Sequence, residues 1–304
     1  MKYLRFLVLL VLVSSCGSSK KVIDTPKTEP EIITDVKIDS VVMIKEDIAV
    51  KDVNIKNVVT DTVTITKNMK EERLVTNDSS GFHQELSKRE GPLHLLFDEL
   101  LQKHVSSSGN VDYKSFKSSH QKLFGYISVL QMVYLKLDSL SKEEKLAYWI
   151  NAYNALTIDL ILRNYPLNSI KDIDKPWDQR LWKFGNKWLN LNDIEHKILR
   201  KMDEPRIHFA IVCASFSCPK LQNTVFTAEQ LETQLTEATK EFLADKTRNN
   251  ISTNNLQLSK IFKWFAKDFK ANGTLIDFLN TYSDIDIASN AKKNFKDYNW
   301  DLND

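Results

Sequence analysis

Ser141-Lys142-Glu143-Glu144-Lys145-Leu146-Ala147-Tyr148-Trp149-Ile150-Asn151-Ala152-Tyr153-Asn154-Ala155-Leu156-Thr157-Ile158-Asp159-Leu160-Ile161-Leu162-Arg163 decides the fold. Ser141 and Glu144 have capping-box spacing, and Pro166 stops the run, so the pattern predicts a helix over 143–163. On a helical wheel Leu146, Trp149, Ile150, Tyr153, Leu156, Leu160 and Ile161 cover one side, while Tyr148, Ala152 and Ala155 cover the other. A helix apolar all round is central and buried. Asn151 and Asn154 lie one turn apart on its flank, beside Ala147 and Ile158. A buried amide without a partner costs on the order of 1–3 kcal/mol, so both need partners. These amides either dock a loop on the core helix or serve a reaction, as an oxyanion donor or an orienter of a catalytic group.

Outward from this helix, 93–105 and 113–133 have helical apolar spacing, with a turn at Ser106–Asn110 between them. Residues 181–189 read as a hairpin turning at Gly185-Asn186. A helix is expected over 191–202, capped by Asn190 or Asn192, with Leu191, Ile194, Ile198, Leu199 and Met202 as its apolar stripe. Glu195 projects inside that stripe and His196 lies at its edge. A carboxylate facing the core needs a charged or hydrogen-bonding partner. Burial alone raises its pKa, and a cationic or donor partner lowers it.

Ile207-His208-Phe209-Ala210-Ile211-Val212-Cys213 reads as a strand leading into a small polar loop that ends at Cys218-Pro219. In that strand His208 and Cys213 would point to opposite faces, so His196 is the better imidazole partner for Cys213. Residues 227–243 form a further expected helix with a capping box at Thr227–Gln230. A short strand is expected at 256–259, then a helix over 261–269 capped by Ser259. The C-terminal aromatic and Asp/Asn-rich stretch reads as packing plus loop.

The N-terminus has a different character. Lys2 and Arg5 precede an apolar run, Phe6–Val13, that is too short to span a bilayer and has secretory-signal layout. Val13-Ser14-Ser15-Cys16 resembles a bacterial lipobox, which implies cleavage after residue 15 and a lipid anchor on Cys16. Gly17 and Ser18 follow with no Asp, which by the same resemblance favours the outer membrane, facing the periplasm, over inner-membrane retention. No aromatic residue lies between Phe6 and Phe82, and residues 16–81 are rich in Lys, Asp, Glu, Thr and Ser. Such a segment cannot offset its ordering entropy and reads as a disordered tether reaching roughly 45 Å. The expected organisation is a signal peptide at 1–15, a lipidated linker at 16–81 and one globular domain at 82–304. That domain is expected to be α+β, predominantly helical, with a small antiparallel sheet.

The formal charge of +2, from 42 Lys+Arg against 40 Asp+Glu, gives no field that would draw nucleic acid. There is no Gly-rich phosphate loop and no standard zinc spacing, so no cofactor and no metal is expected. His196, His208, Cys213 and Cys218 could supply metal ligands, but the expected strand points two of them apart.

Asn110-Val111-Asp112-Tyr113, Leu146–Ala155, Leu191–His196, Arg206–Ala210 through Cys218-Pro219, and Ser259–Trp264 with Asp268-Phe269 together resemble the family catalogued as domain of unknown function 547. The resemblance spans nearly the whole expected domain and implies no particular reaction. It places Asn151, Asn154, Glu195, His196, His208 and Cys213 within the family's motifs.

Three chemistries compete for these residues. In a thiol-dependent hydrolase or acyltransferase, Cys213 is the nucleophile and His196 or His208 the base. Glu195 or Asp268 orients that base, and an Asn151 or Asn154 amide sits at the oxyanion. In an oxidising compartment Cys213 and Cys218 instead form a disulfide, which silences that nucleophile. The reading with the fewest assumptions is a tethered domain that binds a small molecule, a peptide or an envelope partner without turnover. Asn154, Trp149 and Ser215 are then candidate binding residues, and the lipid bilayer is a partner through the anchor on Cys16.

Overall fold

The central helix forms because its first turn is closed at both ends of a reciprocal cap. Ser141 Oγ accepts from the Glu144 N–H at 3.1 Å, and Glu144 accepts from the Ser141 N–H at 2.6 Å. The helix runs Lys142–Asn164, and every residue from Leu146 to Leu162 is buried. This computed structural model describes the backbone of residues 90–304 and the side chains from Leu93 onward. The expected signal peptide, the lipidation of Cys16 and the linker lie outside the described residues.

Among the described residues three α-helices precede the central one: α1 (Glu90–His104), α2 (Tyr113–Lys117) and α3 (His120–Tyr134), which makes the central helix α4. The expected single helix over 113–133 is interrupted at Ser118 and Ser119. Ser118 Oγ donates to the Ser115 carbonyl and Ser119 Oγ meets His104 Nε2, so side chains compete with the helical backbone there. The turn between α1 and α2 closes with a Val105–Val111 bridge and places Gly109 at φ +87°. A Cβ on Gly109 would lie 3.0 Å from the Leu221 backbone nitrogen, as well as in a strained conformation. Gly109→Ala is therefore expected to destabilise the domain by about 1–3 kcal/mol, read as a lower thermal midpoint.

After α4 the hairpin β1 (Trp182–Phe184) and β2 (Lys187–Leu189) turns at Gly185-Asn186 as expected, with Trp182 opposite Leu189. A helix follows, α5 (Leu231–Ala244), then β3 (Asn250–Ile251), β4 (Asn255–Leu258), α6 (Ile261–Trp264), α7 (Leu275–Tyr282) and β5 (Lys292–Phe295). The described residues are about half helical with two small sheets, which is the expected α+β class. The second sheet is mixed rather than purely antiparallel: β3 pairs antiparallel with β4, but β4 pairs parallel with β5.

Three local readings are corrected. The stretch Ile207–Cys213 is not a strand. Pro205–Phe209 is a 3-10 helix started by Pro205, with Glu204 accepting from the Arg206 N–H, and Ala210 and Ile211 both donate to the Ile207 carbonyl. An apolar run buried on all sides carries no period that separates strand from helix, and here the backbone satisfies itself locally. The expected helix over 261–269 splits into α6 and a 3-10 turn, Asp268–Lys270. The C-terminal stretch contains α7, with its own Thr274–Asp277 capping box, and β5.

Among the described residues two apolar cores result. The larger gathers around α4, and the smaller joins Phe209, Phe242, Phe262, Phe269 and Leu279 beneath the mixed sheet. The segment 205–213 passes from one to the other, with Phe209 in the smaller core and Ile207 and Val212 in the larger.

Candidate functional site

The two α4 amides hold this crossing segment and the following loop. Asn154 Nδ2 donates to the Ala210 carbonyl at 2.9 Å, and its Oδ1 accepts from the Val212 N–H at 3.0 Å. Asn151 does the same for Phe226, donating to its carbonyl at 2.7 Å and accepting from its N–H at 3.0 Å. Each amide completes the backbone of a chain that has no sheet or helix partner there. Both are 1–2 % exposed, so these bonds are shielded from water. Neither amide points at Cys213 as an oxyanion donor.

Beside them runs the segment expected as the helix 191–202. It opens at Leu191, where Asn190 Oδ1 accepts from the Asp193 N–H at 2.7 Å. It continues as a π-helix, Asp193–Ile198, and closes as a 3-10 turn, Leu199–Lys201. Across this change of helix type Arg200 comes within electrostatic reach of Glu195. Glu195 is buried, and the Tyr153 hydroxyl of α4 donates to its Oε2 at 3.0 Å. Burial pushes the Glu195 carboxyl up to about 7, against the pull of Tyr153 and Arg200.

Arg200 makes a forked pair with Asp268, 2.6 Å from Nε and 2.8 Å from Nη2, while its Nη1 lies 3.2 Å from His196 Nδ1. Asp268 also holds His208 Nε2 at 2.8 Å. Burial alone would raise the Asp268 carboxyl, but Arg200 and His208 hold it well below the usual carboxylate range. Burial lowers the His208 pKa, with Asp268 opposing, and the contact with the carboxylate requires the ring to carry a proton on Nε2. His208 stacks on Phe265 at 3.9 Å between ring centroids. His196 is lowered too, by burial first and then by the Arg200 charge. Among the described residues neither histidine is hydrogen-bonded to Cys213, and the expected strand that set their relative faces is absent.

Cys213 and Cys218 are joined in a disulfide, with Cα atoms 6.2 Å apart. The loop between them reverses direction at Ala214, which takes φ +55°. Ser215 is buried under it, and its Oγ lies 3.1 Å from Cys213 Sγ and donates to the Tyr298 hydroxyl at 3.2 Å. That hydroxyl lies 3.3 Å from each sulfur. Burial pushes Tyr298 up to about 12, and the Glu195 carboxyl adds to the rise, which places Tyr298 in the electrostatic reach of the Glu195 cluster. Trp149 lies elsewhere, in the larger core, edge-on to Tyr148 and Tyr134.

An aromatic shelf borders the disulfide. Trp264, 46 % exposed, meets Tyr298 at 4.8 Å and stacks on Trp300 at 5.8 Å, and Trp177 meets Trp300 edge-on at 5.7 Å. Lys171 Nζ sits 4.1 Å over the Trp300 ring. Among the described residues no group of three or more His, Cys, Asp or Glu side chains is arranged to hold a metal ion. No described helix is long and apolar enough to cross a membrane.

The sequence reading missed Tyr153, Arg200 and Tyr298 as members of this cluster. Arg200 carried a signal, since it stands four residues after His196 and five after Glu195. Tyr153 looked like one more apolar face residue of α4. Tyr298 had no local signal, because only the folding back of the C-terminus brings it to the loop. A second missed network centres on buried Asp159, which accepts from Trp182 Nε1 and Arg163 Nε, each at 2.7 Å, and meets His120 Nε2 at 2.6 Å.

A family model described as "Protein of unknown function, DUF547" matches residues 137–243. The match takes in α4, the π-helical segment and the disulfide loop, and stops short of Asp268, Trp264 and Tyr298. No curated protein and no solved structure matches the chain.

Proposed function

We propose that the chain is an envelope lipoprotein, anchored through Cys16 and most simply placed in the outer membrane facing the periplasm. Its domain binds a small molecule, a peptide or an envelope partner without hydrolysing or acylating it. One observation carries the binding reading: every group nominated for catalysis is already engaged, and the open surface beside them is aromatic. Cys213 shares its sulfur with Cys218, His208 is fixed on Asp268, and His196 faces Arg200. Asn151 and Asn154 hold backbone. What remains exposed is Trp264, with the half-buried rings of Tyr298 and Trp300 packed beside it, a surface type that recognises flat or ring-shaped ligands by stacking.

The thiol-dependent hydrolase reading needs the disulfide opened and a histidine moved next to Cys213. Neither need has support in the arrangement of His196 and His208. The lipobox at Val13–Cys16 supports the anchor, and the composition of 16–81 supports the tether.

The test uses the full chain with Cys16→Ser, titrated with a soluble envelope extract of glycans and peptides while tryptophan emission is followed. A saturable change is expected that survives Cys213→Ser and is lost in Trp264→Ala. Release of a carboxylic acid from an ester or thioester in the extract, abolished by Cys213→Ser, would instead establish the hydrolase. For the anchor, the native chain should partition into detergent with a lipid-bearing N-terminal peptide beginning at residue 16, and Cys16→Ser should remain in the aqueous phase.

A further inference from the structure

The disulfide sits in a loop that is held without it. Phe216 N–H donates to the Asp301 carbonyl at 2.7 Å and Ser217 N–H to the Asn299 carbonyl at 3.2 Å, while Asn303 N–H donates to the Ala214 carbonyl at 3.2 Å. Arg248 binds the carbonyls of Cys218 and Phe216, each at 2.6 Å. Pinning this loop is therefore a task already met by hydrogen bonds from two sides.

The two sulfurs are not equivalent. Cys218 is 3 % exposed, whereas Cys213 is only half-buried. The Cys213 N–H donates to Cys218 Sγ alone, at 2.9 Å, while the Tyr298 hydroxyl lies 3.3 Å from both sulfurs and can turn its proton to whichever becomes the thiolate. Ser215 donates in turn to Tyr298, which polarises that hydroxyl toward sulfur. Donors aimed at a buried sulfur stabilise it as a thiolate. A disulfide whose inner sulfur departs readily, and whose outer sulfur can be reached, is built for exchange.

We propose that Cys213–Cys218 is a thiol–disulfide exchange site that accepts two electrons from low-molecular-weight thiols, with Cys213 the sulfur attacked and Cys218 the leaving group. An incoming thiolate forms a bond to Cys213 Sγ as the Sγ–Sγ bond breaks, and the electron pair stays on Cys218 Sγ under its two donors. A second thiolate attacks the incoming sulfur of the mixed disulfide, releasing Cys213 as a thiolate and a disulfide of the two small thiols. The protons of those two thiols end on Cys213 and Cys218. The domain is reduced and the thiols are oxidised, once per domain. This goes beyond ligand recognition and does not depend on what the aromatic shelf binds.

The test is reduction of the full chain carrying Cys16→Ser by glutathione under native conditions, quenched with acid and read by mass spectrometry. The same disulfide in the urea-unfolded chain is the reference. The native disulfide is expected to react at least as fast as the unfolded one, with the glutathione adduct on Cys213. Tyr298→Phe is expected to slow it on the order of fivefold by removing one donor to the leaving sulfur. Should Tyr298→Phe fail to fold, Ser215→Ala leaves the tyrosine in place and is expected to slow exchange about twofold. A native disulfide that opens only as the chain unfolds, an adduct on Cys218, or a rate unchanged by these variants would overturn the proposal. Loss of the tryptophan response with exchange intact would count against the binding reading alone.

Discussion

Asn154→Ala lowers the unfolding free energy of the domain by about 3 kcal/mol, a large share of the roughly 5–15 kcal/mol that holds a domain together. Truncation removes both halves of the amide and leaves the Ala210 carbonyl and the Val212 N–H buried without partners. No water reaches them, since Ala210 and Val212 are each 2 % exposed. Asn151→Ala orphans the two backbone groups of Phe226 in the same way and carries a similar cost. The two residues lie one turn apart on α4, close enough to couple, so the double variant is needed to tell how far their effects add. Urea unfolding followed by circular dichroism measures each, at constant m-value. Loss of less than about 0.5 kcal/mol in either variant would show that the amides are ornaments of α4 and not its clasps.

Glu195→Gln has the opposite sign, and its size depends on pH. The Glu195 carboxyl is raised from 4.5 to about 7 by burial. A carboxyl raised in the folded state binds more protons folded than unfolded, so its contribution is fully present below its unfolded pKa and fades as pH climbs through the folded value. The wild-type domain therefore loses stability between about pH 4.5 and pH 7, by about 3 kcal/mol in the limit. Glutamine keeps an acceptor for the Tyr153 hydroxyl and has no proton to lose. The variant should match the wild type near pH 4.5 and exceed it by about 2–3 kcal/mol at pH 8. His208, lowered by burial, and Asp268, held down by Arg200 and His208, favour stability at higher pH and lose it in acid. Their slopes oppose that of Glu195, which is why the difference between variant and wild type is the quantity to plot. A variant less stable than the wild type at pH 8 would mean that the ionised carboxylate is stabilised where it sits and not penalised by burial.

Much of the fold was legible where periodicity and caps coincide. The central helix, its capping box, the hairpin at Gly185-Asn186 and the need of Asn151, Asn154 and Glu195 for partners all follow from local pattern and burial. The partners themselves were less legible. Glu195 pairs with Tyr153, forty-two residues earlier, and the disulfide loop meets Tyr298, more than eighty residues later. No local period encodes such contacts. Ile207–Cys213 misled for a different reason. Its β-branched, apolar residues are required by burial between two cores, and Pro205 with Glu204 turns the backbone into a 3-10 helix regardless. The capping box at Thr227 was partly legible. Thr227 Oγ1 does accept from the Gln230 N–H at 3.3 Å, but the returning bond to the Thr227 N–H comes from Gln234, one turn later, and the helix proper opens at Leu231.

These corrections bear on function because the strand reading had made Cys213 a thiol displayed at a strand end, in search of a base. In the folded chain the sulfur lies in a loop clamped by Arg248 and the C-terminus, closed onto Cys218, with the imidazoles held by Asp268 and Arg200. The cluster is thus a polar scaffold that joins two cores and frames an aromatic surface. The central claim is that this scaffold rests with its disulfide closed and no free nucleophile. Its most direct test is the intact mass of the full chain carrying Cys16→Ser, purified, unfolded and alkylated without reductant. The account predicts no alkyl group on Cys213 or Cys218, and two more after reduction. Two alkyl groups before reduction would contradict it and return Cys213 to the role of nucleophile.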